Sequence, residues 1–121
     1  MAKRKRIPEL SNVGLPVSIL ISAYNEEKVI RQRIENIDSV DYDKNLLEVI
    51  VGSDCSSDNT NQILIDLASQ YSWLKVHIFQ NRRGKAAVIN DLAQKAVNEI
   101  LIFSDANTVF DKNTLKHLIN K

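Results

Sequence analysis

Apolar and polar positions along this chain follow two alternating periods. Short apolar, β-branched runs occur at Val17 to Ala23, Leu47 to Ser53, Leu74 to Phe79 and Ile100 to Phe103. Each is too short for a core helix and suits a buried strand. Between the runs, apolar residues recur at helical spacing. Val29, Ile30, Ile34 and Ile37 form one such face, with Arg31, Arg33 and Glu35 placed off it. Ile63, Leu64, Leu67, Ala68 and Tyr71 form the second, and Ala87, Val88, Leu92, Ala96 and Val97 the third. Leu115, Leu118 and Ile119 predict a last helix from about Asp111. Asn25 is placed as the cap of the first helix, with Glu26 and Glu27 in its first turn, where acids suit the helix dipole.

The order is therefore β-α repeated four times, with crossovers of helix length. It predicts one α/β domain over residues 16–121, Rossmann-like, with a mainly parallel sheet and helices on both faces. Residues 1–15, with Pro8 and Gly14 and no periodicity, are an irregular lead-in. In such a sheet the loops after the strands share one edge, where ligands bind. Those loops are Tyr24 to Glu27, Asp54 to Asp58, Asn81 to Lys85 and Asp105 to Asn107, and they hold nearly all the chemically capable side chains.

Composition narrows the classes. The 121 residues are 44% hydrophobic and 26% charged with a net charge of +1, which gives no support to a nucleic-acid binder. The exception is Lys3-Arg4-Lys5-Arg6. It fits either a solvated terminus or a segment beside an anionic membrane surface, where each basic residue adds about 1 kcal/mol. A single cysteine, Cys55, gives no internal disulfide. No apolar run approaches the length of a membrane span, and no signal peptide is recognisable, so a cytoplasmic location is expected.

Several nucleotide and metal sites are excluded by spacing. The loop after the first strand has no glycine, so a dinucleotide fingerprint is absent. Gly84-Lys85 lacks the rest of a phosphate-binding P-loop, and His77, His117 and Cys55 do not have zinc spacing. What remains is a ligand set for a nucleoside diphosphate with something attached. Tyr24 can stack on a base, and Asp54 can accept from a base N–H or a ribose. Arg82, Arg83 and Lys85 can meet a diphosphate, and Asp105 with Asn107 offers two oxygen donors to a hard cation, Mg²⁺ or Mn²⁺. Each also has a plainer reading. Tyr24 can pack on its helix, Asp54 can form a turn, Asn25, Ser57 and Asp58 can cap helices, and Arg82 and Arg83 can be solvated. Asp105 is the hardest to dismiss, since a charge directly after a buried strand needs compensation or a ligand.

The segments Val17-Ser-Ile-Leu-Ile-Ser-Ala-Tyr-Asn-Glu-Glu27, Ser53-Asp-Cys-Ser-Ser-Asp-Asn-Thr60, Gly84-Lys-Ala86 and Phe103-Ser-Asp-Ala-Asn107 resemble, in order, the N-terminal half of the family 2 glycosyltransferases. The resemblance runs over about residues 15 to 121. It implies a GT-A fold, a nucleotide-sugar donor (commonly a UDP-sugar), a divalent metal, and inverting transfer to a hydroxyl of a polysaccharide or lipid. By position it places Tyr24, Glu26, Asp54, Lys85 and Asp105 at the donor nucleotide, and Asp105 with Asn107 at the metal. Two departures stand out. Asn107 replaces the usual second aspartate, and Ser53 and Cys55 replace the usual aspartate and glycine around Asp54. The family's general base comes after the point where this chain ends, so no catalytic base is assigned. The implied whole is a longer enzyme, with the basic lead-in fitting the cytoplasmic face of a membrane. A nucleotidyltransferase-like enzyme and a non-catalytic nucleotide-binding module remain as alternatives.

Overall fold

A computed structural model describes residues 14–105. The basic run at residues 3–6, Asn107, His117 and the helix expected from Asp111 lie outside the described residues. The elements run β1 (Val17–Ala23), α1 (Ile30–Asp38), a 3-10 turn (Lys44–Leu46), β2 (Leu47–Asp54), α2 (Thr60–Gln70), β3 (Leu74–Phe79), α3 (Lys85–Lys95) and β4 (Ile100–Asp105). All strand pairs are parallel, in the order β3-β2-β1-β4. The chain winds outward from β1 to β3 and then crosses to the other side of β1. The strand order thus reverses between β1 and β4, and the crevice at their carboxyl ends is where such sheets bind ligands.

Side chains alternate between the two faces of the sheet. Val17, Ile19, Ile21, Val49 and Val51 meet Ile30, Ile34 and Ile37 of α1 and Leu64 and Leu67 of α2 in one core. Leu20 and Ile50, on the other face, meet Val88 and Leu92 of α3 in a second, smaller one. Helices therefore cover both faces, as the β-α pattern predicts. The α3 side packs closely because β2 carries Gly52 there. A Cβ at that position would lie 2.6 Å from Val88 Cγ1.

Four expectations need correction. First, α1 begins at Ile30 rather than near Asn25. Asn25 has φ 51°, a left-handed conformation that turns its side chain away from the helix it was expected to cap. Second, α3 ends at Lys95, so Ala96 leaves the helix in an extended conformation and Val97 is 71% exposed. Third, β4 is less buried than its apolar run suggests: among the described residues it lies at the edge of the sheet, and Phe103, on its α3 side, is 63% exposed. Fourth, Arg33 is not on the outer face of α1 but is buried with Ile30, Ile34 and Ile37.

Candidate functional site

The carboxyl edge of the sheet is built outward from β1. Register places Ser22 beside both Gly52 and Asp105, and Ala23 beside Ser53. Asp54 and Asp105 thus end the two strands that flank β1, both on the α3 side of the sheet. Two strand spacings, about 10 Å, separate β2 from β4.

The loop after β3 and the start of α3 lie between these carboxylates. Asp54 is 2% exposed and accepts from the Arg83 N–H at 2.7 Å, the Gly84 N–H at 2.9 Å and Arg82 Nε at 3.2 Å. Burial alone would raise its pKa, but those three donors outweigh it and hold the carboxyl below the ordinary aspartate value. Lys85, the first residue of α3, pairs with Asp105. A cation is disfavoured at a helix start, and the Asp105 carboxylate supplies the compensation. One four-residue segment, Arg82 to Lys85, is therefore clasped at one end by the last residue of β2 and at the other by the last residue of β4. Gly84 makes the turn between them, with φ 89° and ψ 154°.

The loop after β1 is tied to the loop after β2. Asn25 Oδ1 accepts from the N–H of Ser57 at 2.8 Å and of Asp58 at 3.3 Å, while the Asn25 N–H donates to Ser56 Oγ. The Glu26 N–H donates to Thr60 Oγ1 at 2.8 Å, and its carbonyl accepts from Val29 and Ile30 to open α1. Asn25 thus caps the neighbouring turn instead of its own helix. Asp58 accepts from the Thr60 N–H at 2.9 Å and from its hydroxyl, which makes it a helix-start acceptor as expected. The ring of Tyr24 stands half-exposed on this rim, with the Arg82 guanidinium carbon 3.6 Å from its centroid.

Of the residues singled out from the sequence, Tyr24, Arg82, Arg83 and Asp54 form one contact group, and Lys85 and Asp105 another. Glu26 joins the rim through its backbone, and Asn107 lies outside the described residues. Arg82 and Arg83 are not simply solvated, since both carry ion pairs, to Asp54 and to Asp91 respectively. His77 is on β3, beside Gly52, away from both groups.

One further residue belongs to the site and was missed. Arg33 Nη2 donates to Ser104 Oγ at 2.8 Å, and its Nε donates to the Asp105 carbonyl at 3.3 Å. Its place in the row 30, 33, 34, 37 was a readable signal, because positions i, i+3, i+4 and i+7 share one helical face.

A metal can be tested against these donors. No group of three or more His, Cys, Asp and Glu side chains that could hold an ion occurs among the described residues. Asp105 offers one exposed carboxylate, of the oxygen type that hard cations take. Magnesium-like ions commonly use one or two carboxylates and complete their shell with water and substrate phosphate. The donor chemistry fits that sharing arrangement.

Comparison with known proteins assigns the chain. The profile of glycosyl transferase family 2 matches residues 18–121. The beta-monoglucosyldiacylglycerol synthase of Trichormus variabilis is 35% identical over 105 residues, 85% of this chain and 22% of its own. The mannosyltransferase PcManGT of Pyrobaculum calidifontis, solved with GDP-Man and Mn²⁺, superposes with a TM-score of 0.79 at 30% identity, covering 84% of this chain and 30% of that one. TarS of S. aureus, solved with UDP-GlcNAc, gives 0.79 and 30% identity over 86% of this chain and 30% of its own. This chain spans about a quarter of the length of the curated relatives it matches. A Rossmann-like parallel sheet of the GT-A type, a convergent rim of polar loops and a profile match over most of its length lead to one conclusion: the chain belongs to glycosyl transferase family 2.

Proposed function

We propose that residues 16–121 are the donor-binding part of an inverting glycosyltransferase that moves a sugar from a UDP-sugar to a hydroxyl of a lipid or polysaccharide. The observation that carries this reading is the clasp of Arg82 to Lys85 between Asp54 and Asp105. It lines a nucleotide-sized rim with an aromatic ring and a buried carboxylate at one end, and with cations and an exposed carboxylate at the other. Proteins solved with UDP-GlcNAc and with GDP-Man superpose on this chain, which supports a nucleotide-sugar as the donor class.

In this reading Tyr24 and Asp54 take the base and Glu26 lies on the nucleotide side of the rim. Arg82, Arg83 and Lys85 face the diphosphate. Their charges, with the free N–H groups at the start of α3, oppose the negative charge that builds on the leaving diphosphate as the anomeric carbon is displaced. Asp105, with Asn107, would hold Mg²⁺ or Mn²⁺, and the ion would supply further charge neutralisation at the same oxygens. Lys85 must then leave Asp105 and turn to the phosphates. The acceptor is deprotonated by a base outside the described residues. In this reading the basic segment at residues 3–6 supports a position at the cytoplasmic face of a membrane.

Titration of UDP by calorimetry, with and without Mn²⁺, tests the reading. Metal-dependent UDP binding that Asp105→Ala removes is the expected result. Binding of nucleoside triphosphates but not diphosphates would point to a nucleotidyltransferase-like enzyme instead, and absence of any nucleotide binding would overturn the donor-site assignment.

A further inference from the structure

Arg82 makes, within the protein, the two contacts that the donor reading assigns to a nucleobase. Its flat guanidinium lies against the Tyr24 ring, 3.6 Å from the centroid, and its Nε donates to Asp54 Oδ2 at 3.2 Å. The Arg82 side chain is 53% exposed while that of Asp54 is 2% exposed, so a solvent-facing cation covers a buried acceptor. Asp54 does not depend on Arg82 for its position. The N–H groups of Arg83 and Gly84 hold it through the backbone of the same loop.

We propose that Arg82 is a resident stand-in for the base, and that a nucleotide binds by displacing it from Tyr24 and Asp54. The proposal rests on the donor-site reading and adds what occupies that site beforehand and what a ligand must offer to replace it. The replacement must be planar, to stack on Tyr24, and must donate an N–H to Asp54 Oδ2. Uracil and guanine carry a ring N–H on the pairing edge. Cytosine and adenine place a bare ring nitrogen there, a lone pair against a carboxylate. Asp54 thus favours bases with a ring N–H, and Arg82 sets a threshold that any base must overcome. A contact of a cation with an exposed ring plus one charge-assisted hydrogen bond is the barrier to be replaced.

The test uses uridine, which has the base and ribose but no phosphate for Arg82 to meet. NMR titration of the 121-residue chain compares wild type with Arg82→Met, which keeps an unbranched stem and removes the charge and the donor. Uridine should bind the variant about threefold to tenfold more tightly, with cytidine remaining weaker than uridine in both proteins. The Arg82 Nε–H signal of the wild type should move toward its solvent-exposed position as uridine is added. Arg31→Met, which removes one charge from the exposed face of α1, should leave uridine binding unchanged. Equal or weaker uridine binding by Arg82→Met, or uridine undetectable with both while UDP binds, would overturn the displacement and leave the donor site standing. Failure of UDP itself to bind the wild type would overturn both.

Discussion

Arg33 and Ser104 are joined by a buried hydrogen bond, Nη2 to Oγ at 2.8 Å, that crosses from the middle of α1 to the last turn of an edge strand. The same guanidinium reaches the Asp105 carbonyl, so the backbone that carries the exposed carboxylate is anchored from beneath. Among the described residues β4 pairs with β1 alone, so this side-chain anchor adds to the ladder on one side. Burial pulls the Arg33 pKa down to about 10, which still leaves it a cation at neutral pH. Arg33→Met should cost about 1–3 kcal/mol through the acceptors left unpaired, read as a lower urea midpoint. It should also weaken metal-dependent UDP binding more than metal-free binding, because the carboxylate of Asp105 loses its fixed position. Arg33→Lys should recover part of the stability. Unchanged metal dependence in Arg33→Met would reduce Arg33 to a packing residue.

Gly52 is where the rim and the core meet. A Cβ there would stand 2.6 Å from Val88 Cγ1, 3.1 Å from the Phe79 ring and 3.3 Å from Leu92. At the first distance something must give, either the Val88 rotamer or α3 itself, and α3 carries Lys85. Gly52→Ala should destabilise the protein by about 1–3 kcal/mol, the usual range for overpacking, and should lower UDP affinity by displacing Lys85 from the Asp105 side. Thermal denaturation with a parallel UDP titration checks both. A stable variant with normal affinity would show that α3 can shift without cost to the rim.

Gly84 is required for a different reason. A Cβ built on it meets nothing within 4 Å, yet its φ of 89° with ψ 154° is a region that other residues rarely enter. Gly84→Ala should therefore cost about 1–3 kcal/mol in backbone strain alone, without any overlap. Since the Gly84 N–H is one of the two backbone donors on Asp54, relief of that strain would pull a donor off a buried carboxylate. The expected signature is a drop in uridine and UDP affinity larger than the drop in thermal midpoint would suggest for a surface loop. A variant indistinguishable from wild type in both would mean the turn can be made another way.

The parts of this arrangement that depend on local periodicity were legible in the sequence. β1 and β3 begin and end where their apolar runs do, and α3 opens at Lys85 as expected. The parallel order implies that Asp54 and Asp105 share one edge, and the strand register puts them there. What was not legible depends on partners far along the chain. Asn25 has the composition of a helix cap, and nothing near it reveals that residues 56–58 claim its side chain. Glu48 sits inside an apolar run as an unexplained charge. Its partners are Ser18, Lys75 and the Val97 N–H, at separations of 30, 27 and 49 residues. Arg33 was legible in principle, since its spacing puts it on the apolar face. Its polarity argued for solvent, and the acceptors on β4 that compensate its burial lie 71 and 72 residues away.

Three buried or half-buried carboxylates give the fold an acid limit whose sign follows from their partners. Burial raises Asp54, Asp58 and Glu48, but in each the donors outweigh it: the Arg83 and Gly84 N–H groups with Arg82 at Asp54, Thr60 and the Glu27 N–H at Asp58, and Lys75, Ser18 and the Val97 N–H at Glu48. All three pKa values lie below their ordinary levels, 3.8 for aspartate and 4.5 for glutamate. Depressed carboxylates bind protons more readily in the unfolded state, so stability falls as pH falls. Their contribution is complete above the ordinary values and is lost as pH drops from there through the lowered folded-state values. Urea midpoints measured from pH 7 to pH 2 should be level in the upper part of that range as far as these groups are concerned, then decline below about pH 4.5. Asp54→Asn should be less stable than wild type at pH 7 and should decline less steeply below pH 4.5, so that the two curves converge in acid. Parallel curves would mean that Asp54 does not exchange a proton on unfolding, and that the loop it holds is fastened by other contacts.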